Sequence, residues 1–174
     1  MDTDHPNRGD GDEEDTAPKA VGEQVSDSEL PGVGDDGIDT FRLSEFTKEG
    51  ALVLLFYPFD FSPVCTRQVC RFRDAEWLSL AENVDVVGVS VDSAYSHKQF
   101  RDEYELSFPL LTDRLATMAA EFGVRYDSWE NHPAVCKRAV FALDDSRTIR
   151  YRWVTDDAHE QPTPEELKGA IEWV

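Results

Sequence analysis

The pattern of apolar and polar positions predicts strands alternating with helices from residue 51 onward. Two apolar runs of strand length, ALVLLF at 51–56 and VDVVGVSV at 84–91, are typical of central strands covered on both faces. A helix is predicted after Pro63, because apolar residues then recur at helical spacing. Its buried face is formed by Val69, Phe72, Trp77 and Leu80.

The remaining segments extend this alternation in both directions. IDTFRLSEF is predicted as a short edge strand, SHKQFRDEYEL as a helix, FPLL as a short strand, and RLATMAAEFG as a helix ended by Gly123. The segment 139–154 reads as a β-hairpin around an Asp-Asp-Ser turn, and a last helix begins at Pro164 with Thr163 as its N-cap. The set predicts an α/β fold, with a central mixed β-sheet flanked by helices.

One domain is expected. Residues 1–20 combine Asp, Glu, Gly and Pro with few apolar residues, a composition that cannot offset the entropy of ordering, so they are predicted to form a disordered acidic tail. No repeat or linker divides residues 21–174, which are predicted to form a single domain.

Charge excludes some partners. The chain has 36 Asp and Glu against 17 Lys and Arg, a formal net charge of −19, and would repel nucleic acid. The excess is spread along the sequence and is similar to the acidic composition of halophilic, haloarchaeal-like proteins, whose salty cytoplasm screens self-repulsion.

Location is predicted from hydropathy and thiols. No apolar run approaches the ~18 residues of a membrane span, and the N-terminus lacks the basic start and apolar core of a signal peptide. Three cysteines are too few, and odd in number, for a secreted disulfide framework. A cytoplasmic protein that uses its thiols for chemistry is therefore expected.

Cys65 is the strongest candidate for chemistry. It lies near the start of the helix predicted after Pro63, where the positive end of the helix dipole and unpaired amide groups favour a thiolate. The sequence therefore predicts a nucleophilic sulfur at this position.

The stretch YPFDFSPVC resembles the Pro-x-x-x-Thr/Ser-x-x-Cys motif of peroxiredoxins, with Pro58, Ser62 and Cys65 on its defining positions. The resemblance runs in family order from about residue 21 to 154, and it implies a thioredoxin-like fold and a thiol peroxidase acting on hydrogen peroxide and organic hydroperoxides. An Arg on the first strand of the hairpin completes the family's site, and Arg138 matches it. Ser62 stands where Thr is commoner, which keeps the hydroxyl.

Cys70 is the candidate resolving thiol, because Cys-x4-Cys matches the bacterioferritin-comigratory or Q-type subgroup. Five residues along an ideal helix give ~7.5 Å of rise and ~140° of rotation, whereas a disulfide needs Cα atoms within roughly 7 Å and Cβ atoms that face each other. The first turns are therefore predicted to unwind after oxidation. The resemblance further implies a thioredoxin-like reductant, a monomer or weak homodimer, and no metal, haem or flavin.

Other interpretations remain open at this stage. The same fold could serve as a thiol–disulfide oxidoreductase or a peroxide sensor. Cys136 is interpreted as a packed thiol or an alternative resolving partner, on the same face as Arg138 if their strand begins early. A metal site of Cys65, Cys70, His132 and Cys136 has poor ligand spacing. Three histidines are interpreted as surface residues without a role: His5, His97 and His159. Arg67, Arg71 and Arg73 follow Cys65 closely and could tune its pKa, but they are interpreted as a solvated helix face that relieves local acidity.

Overall fold

The sheet at the centre of the molecule has seven strands, in the order β2-β1-β5-β4-β3-β8-β9. The structure, a computed structural model, describes residues 17–171. Its strands are β1 (Glu29–Gly34), β2 (Gly37–Arg42), β3 (Ala51–Phe56), β4 (Val84–Ser90), β5 (Leu110–Thr112), β8 (Ala139–Leu143) and β9 (Ile149–Val154), with β6 (Arg125–Trp129) and β7 (His132–Cys136) forming a separate hairpin. Its helices are α1 (Leu43–Phe46), α2 (Pro63–Arg73), α3 (Glu76–Ser79), α4 (Ala94–Glu103), α5 (Thr117–Glu121) and α6 (Pro164–Lys168).

The predicted mixed sheet flanked by helices is confirmed. β3 pairs in parallel with β4, and β4 with β5, while β8 runs antiparallel to β3. All six residues of β3 are fully buried, as the unbroken apolar run indicates. Side chains alternate across the strand, so Leu54 and Phe56 join one core layer and Val53 and Leu55 join the other.

The helix predicted after Pro63 ends earlier than expected. α2 stops at Arg73, the backbone at Ala75 is extended, and α3 begins afresh at Glu76. The break resets the helical phase, so the single face predicted from the spacing does not continue. Leu80, expected on that face, is 71% exposed.

The β6–β7 hairpin was missing from the predicted elements. Its strands carry mixed polar residues, and the turn at Glu130 and Asn131 has φ values of 46° and 65°, the left-handed geometry of a tight hairpin turn. Cys136 therefore lies on β7, before β8 begins, and is not on one strand with Arg138. β1 was also missed, because its Pro and Gly residues favoured a turn.

The N-terminal segment is held against the domain where it is described. Residues 1–16 of the predicted tail lie outside the described residues. The Lys19 N–H donates to the Phe122 carbonyl at 3.1 Å, and the Arg152 guanidinium donates to the Pro18 and Lys19 carbonyls. The packed chain therefore includes residues 17–20, which had been assigned to the tail. Within residues 17–171, no helix is long and apolar enough to cross a bilayer.

Candidate active site

The loop between β3 and α2 carries the predicted motif. Pro58 is buried, Phe61 adopts a left-handed φ of 64°, and Pro63 occupies the first position of α2. The left-handed residue lies in the turn that leads the chain from the end of β3 into α2. This turn brings Cys65 into the core at the first turn of the helix, with no exposed surface.

The N-terminus of α2 faces the same region. The Thr66 N–H donates to the Ser62 carbonyl at 2.9 Å, the first hydrogen bond of the helix, so the amides of Val64 and Cys65 precede the hydrogen-bonded ladder. Ser62 is half-buried at the N-cap position, and its hydroxyl makes no capping hydrogen bond. The positive end of the helix thus lies at Cys65, and Ser62, whose hydroxyl is not used in capping, lies three positions before it.

Arg138 is brought to Cys65 from the other side of the site. One guanidinium nitrogen, Nη2, lies 3.4 Å from the Cys65 sulfur, and Arg138 is 1% exposed. Its Nη1 donates to Gln68 Oε1 at 2.5 Å, and Nε and Nη2 both donate to the Ala158 carbonyl. The structure therefore joins two residues 73 positions apart in the sequence.

The charge of Arg138 lacks a carboxylate partner among residues 17–171. Its hydrogen-bond acceptors there are two neutral oxygens and the Cys65 sulfur. A guanidinium keeps its proton at any physiological pH, and a buried charge needs a partner. A thiolate at Cys65 would supply the missing negative charge.

Gln68 is a site residue that sequence reasoning missed. It lies three positions after Cys65, on the same face of α2, and is fully buried. Its amide nitrogen donates to the Phe56 carbonyl at 3.4 Å, and its oxygen accepts from Arg138. The sequence feature that could have identified Gln68 is its position as a polar residue on an otherwise apolar face of the predicted helix.

The other two thiols differ from Cys65 in their surroundings. Cys70 is half-buried on α2, and burial raises the pKa of its thiol, an effect that the Arg73 charge partly opposes. Cys136 is fully buried, and burial raises the pKa of its thiol well above the ordinary value. Cys136 also belongs to the opposite core layer from Cys65, which argues against the alternative resolving role.

Residues 21–152 match the family model of AhpC/TSA. The chain belongs to this family. It is 36% identical over 126 residues to the chloroplastic peroxiredoxin Q of Oryza sativa subsp. japonica, an alignment covering 72% of this chain and 56% of the rice protein. A Mycobacterium tuberculosis protein named as a peroxiredoxin is 34% identical over 129 residues, which cover 74% of this chain and 81% of the relative.

A solved structure agrees with these relatives. Peroxidoxin BcpB from Mycobacterium tuberculosis superposes with a TM-score of 0.72 at 29% identity, over 87% of this chain and 93% of that chain. The chain is therefore a peroxiredoxin of the Q/BCP type with the expected thioredoxin-like fold. It spans little more than half the length of the plant relatives.

The motif loop of this peroxiredoxin is fastened to the core by Asp60. The carboxylate accepts hydrogen bonds from the Tyr57 hydroxyl at 2.7 Å and the Ser96 hydroxyl at 2.8 Å, and lies 2.8 Å from His97 Nδ1. The Asp60 N–H in turn donates to Asp92. Burial first, and the Asp60 charge second, raise the pKa of the Asp92 carboxyl.

His97 had been interpreted as a surface residue, and that interpretation is wrong. The ring is fully buried, with Nδ1 on Asp60 and Nε2 3.0 Å from the Leu111 carbonyl. Polar neighbours in the sequence concealed this burial, because they lie on the outer face of α4.

No metal cluster was found within residues 17–171. His132, one member of the set weighed above, lies against the Phe59 ring with 4.7 Å between ring centroids. Trp129, paired with His132 on the other strand of this hairpin, has its ring 5.9 Å from that of Phe59. The β6–β7 hairpin thus covers the motif loop with aromatic side chains.

Proposed function

We propose that this protein is a thiol peroxidase that reduces hydrogen peroxide and organic hydroperoxides through Cys65. The contact between Arg138 and the Cys65 sulfur carries the proposal, because a buried guanidinium without a carboxylate favours a thiolate there. Family membership supports the same reaction.

The reaction begins with attack of the Cys65 thiolate on one peroxide oxygen. The O–O bond breaks, the leaving alkoxide or hydroxide takes a proton, and Cys65 becomes a sulfenic acid. Ser62 would donate a hydrogen bond to the peroxide, and Arg138 would stabilise the charge moving between the oxygens. Pro58 would keep water from the sulfur.

Cys70 would resolve the sulfenic acid. Its thiolate attacks the Cys65 sulfur, the S–O bond breaks, the leaving hydroxide takes up a proton to become water, and an intramolecular disulfide forms. Both cysteines lie within the continuous helix α2, whose geometry keeps their sulfurs apart. The first turns of α2 would have to unwind after oxidation.

A thioredoxin-like dithiol protein would then reduce the disulfide by thiol exchange. Because resolution is intramolecular, a monomer or weak homodimer suffices. The three free thiols favour a reducing cytoplasm, where the enzyme would serve as an antioxidant in redox homeostasis. The net charge of −19 supports function in a cytoplasm with a high salt concentration.

The test is NADPH-coupled peroxide consumption with thioredoxin and thioredoxin reductase, at 0.1 M and molar KCl. We expect Cys65→Ser to lose turnover and Cys70→Ser to lose nearly all of it, while Cys136→Ser retains it. Normal turnover in Cys70→Ser would refute the resolving role. A wild type that fails with every dithiol reductant would refute the peroxidase cycle and favour a sensor.

A further inference from the structure

The outward face of α2 carries two arginines without partners among residues 17–171. Arg67 and Arg71 are exposed, and neither makes a hydrogen bond or ion pair with any of those residues. They lie four positions apart and are therefore neighbours on the helix surface. Like charges at this spacing destabilise a helix, by about 0.2–0.5 kcal/mol per pair.

This basic face contrasts with the rest of the chain. None of the 36 acidic residues lies between Asp60 and Asp74, although acids make up roughly a fifth of the sequence. Arg73, at the end of the same helix, is bound by Asp74 and donates to the Tyr104 carbonyl. The neighbouring acid Asp74 is thus already paired, and Arg67 and Arg71 keep their charge for another molecule.

Both arginines lie within three residues of Cys70, which is half-buried. Arg67 precedes Cys70 by three residues and shares its side of the helix, and Arg71 follows Cys70 directly. Cys70 is half-buried, whereas Cys65 is fully buried. When the first turns of α2 unwind after oxidation, Arg67 and Arg71 remain within three residues of Cys70 in the sequence. A protein approaching the disulfide from solvent therefore still meets guanidinium groups beside Cys70.

We propose that Arg67 and Arg71 form a docking surface for a dithiol protein whose active-site rim is acidic. This inference rests on the proposed peroxidase cycle and specifies the surface chemistry of its reductant. Guanidinium groups bind carboxylates in pairs of parallel hydrogen bonds, which orient a partner as well as attract it. The overall negative charge of this chain disfavours acidic proteins elsewhere on its surface.

The docked reductant delivers two electrons. One partner thiolate attacks the Cys70 sulfur, the bond between Cys65 and Cys70 breaks, and Cys65 leaves as a thiolate. The second partner thiolate then attacks its own half of the mixed disulfide and releases Cys70. The partner ends as a disulfide, and both cysteines of this chain are reduced.

The test compares three reductants of the peroxide-oxidised full-length protein. Two are synthetic dithiol peptides with the same Cys-Gly-Pro-Cys centre, one flanked by glutamates and one by lysines, and the third is neutral dithiothreitol. We expect the glutamate peptide to react about tenfold faster than the lysine peptide at 0.1 M salt. The difference should shrink to a few-fold in 2 M KCl, where the Debye length falls to about 3 Å or less.

Matched variants isolate the docking surface. The rate with each peptide is divided by the dithiothreitol rate of the same variant. On this scale, Arg67→Gln/Arg71→Gln should remove the preference for the glutamate peptide. Lys48→Gln/Lys168→Gln makes the same charge change at exposed lysines outside α2 and should keep the preference. Equal rates for both peptides with wild type, or an unchanged preference in the arginine variant, would overturn the proposal.

Failure of the underlying cycle gives a different result. Mass spectrometry of the oxidised wild type should show a bond between Cys65 and Cys70, two hydrogens lighter than the reduced pair. If this bond does not form, the resolving mechanism fails, and the docking proposal falls with it. If the bond forms and both peptides reduce it equally, the peroxidase cycle stands and the docking surface alone is refuted.

Discussion

At the residue scale, the site depends on pairing one buried sulfur with one buried cation. Arg138 is held by the Ala158 carbonyl and Gln68, so its Nη2 is fixed at 3.4 Å from Cys65 without relying on the sulfur itself. Such preorganised donors act most strongly where water is excluded. The motif residues place the thiol, and this guanidinium determines its electrostatic surroundings.

Replacing Arg138 tests this arrangement. Arg138→Met keeps much of the side-chain length but removes the charge and all its hydrogen bonds. We expect the rate constant of Cys65 with hydrogen peroxide to fall about 100-fold, the usual cost of losing a preorganised donor. Stopped-flow mixing of reduced protein with peroxide measures it.

The control is Arg152→Met, at an exposed arginine on β9 whose hydrogen-bond partners within residues 17–171 are the Pro18 and Lys19 carbonyls. It should react within about twofold of wild type. A loss of under threefold in Arg138→Met would show that the helix terminus alone activates the thiol.

At the element scale, the motif loop and the C-terminal half of α2 are anchored separately. Asp60 fastens the loop to α4 through Ser96 and His97, while Phe72 is buried in the core. The turns between these anchors contain Cys65. Unwinding after oxidation is therefore expected to be confined to this stretch, since both flanks remain packed.

Removal of His97 tests the loop anchor. His97→Leu leaves the buried Asp60 carboxyl without its ring partner, and we expect the free energy of unfolding to fall by about 3 kcal/mol. The peroxide reaction should slow as well, because the loop that carries Ser62 loses its attachment. Urea unfolding and stopped-flow rates measure the two effects.

Two further variants show whether the effect belongs to the pair. His159→Leu changes an exposed histidine and should leave stability within about 0.5 kcal/mol. In the Asp60→Asn background, His97→Leu should lower the free energy of unfolding by much less than it does in wild type. If the two losses simply add, the Asp60–His97 contact is not what anchors the loop.

At the scale of the whole molecule, charge repulsion opposes folding. The net charge of −19 is spread along the chain, and salt screens such repulsion between exposed groups. The buried core and the active-site contacts are screened much less. Stability and chemistry should therefore respond differently to salt.

Thermal unfolding in KCl tests this separation. We expect the Tm to rise by about 5 °C or more between 0.1 and 2 M KCl, equivalent to about 2 kcal/mol for a chain of this size. A variant with three exposed acids neutralised, Glu82→Gln/Glu103→Gln/Asp145→Asn, should show a smaller rise. Equal rises in both proteins would mean that salt acts through excluded volume or ion binding instead of screening.

The sequence by itself determined the central strands, the start of α2 and the position of Cys65. Continuous apolar runs identify β3 and β4, because only strands buried on both faces are apolar throughout. Pro63 specifies the first position of α2, because its fixed φ suits a helix start. Strand burial and the start of a helix are local features, because residues adjacent in the sequence determine them.

Only the tertiary structure decided which distant groups meet. Gln68 and His97 looked like ordinary polar helix residues, and their burial follows from how α2 and α4 pack on the sheet. Cys136 lies on the β6–β7 hairpin, whose sequence pattern is weak, and packs in the other core layer from Cys65. Local patterns record solvent exposure along one element, whereas these contacts join elements far apart in the sequence and depend on the packing of the whole chain.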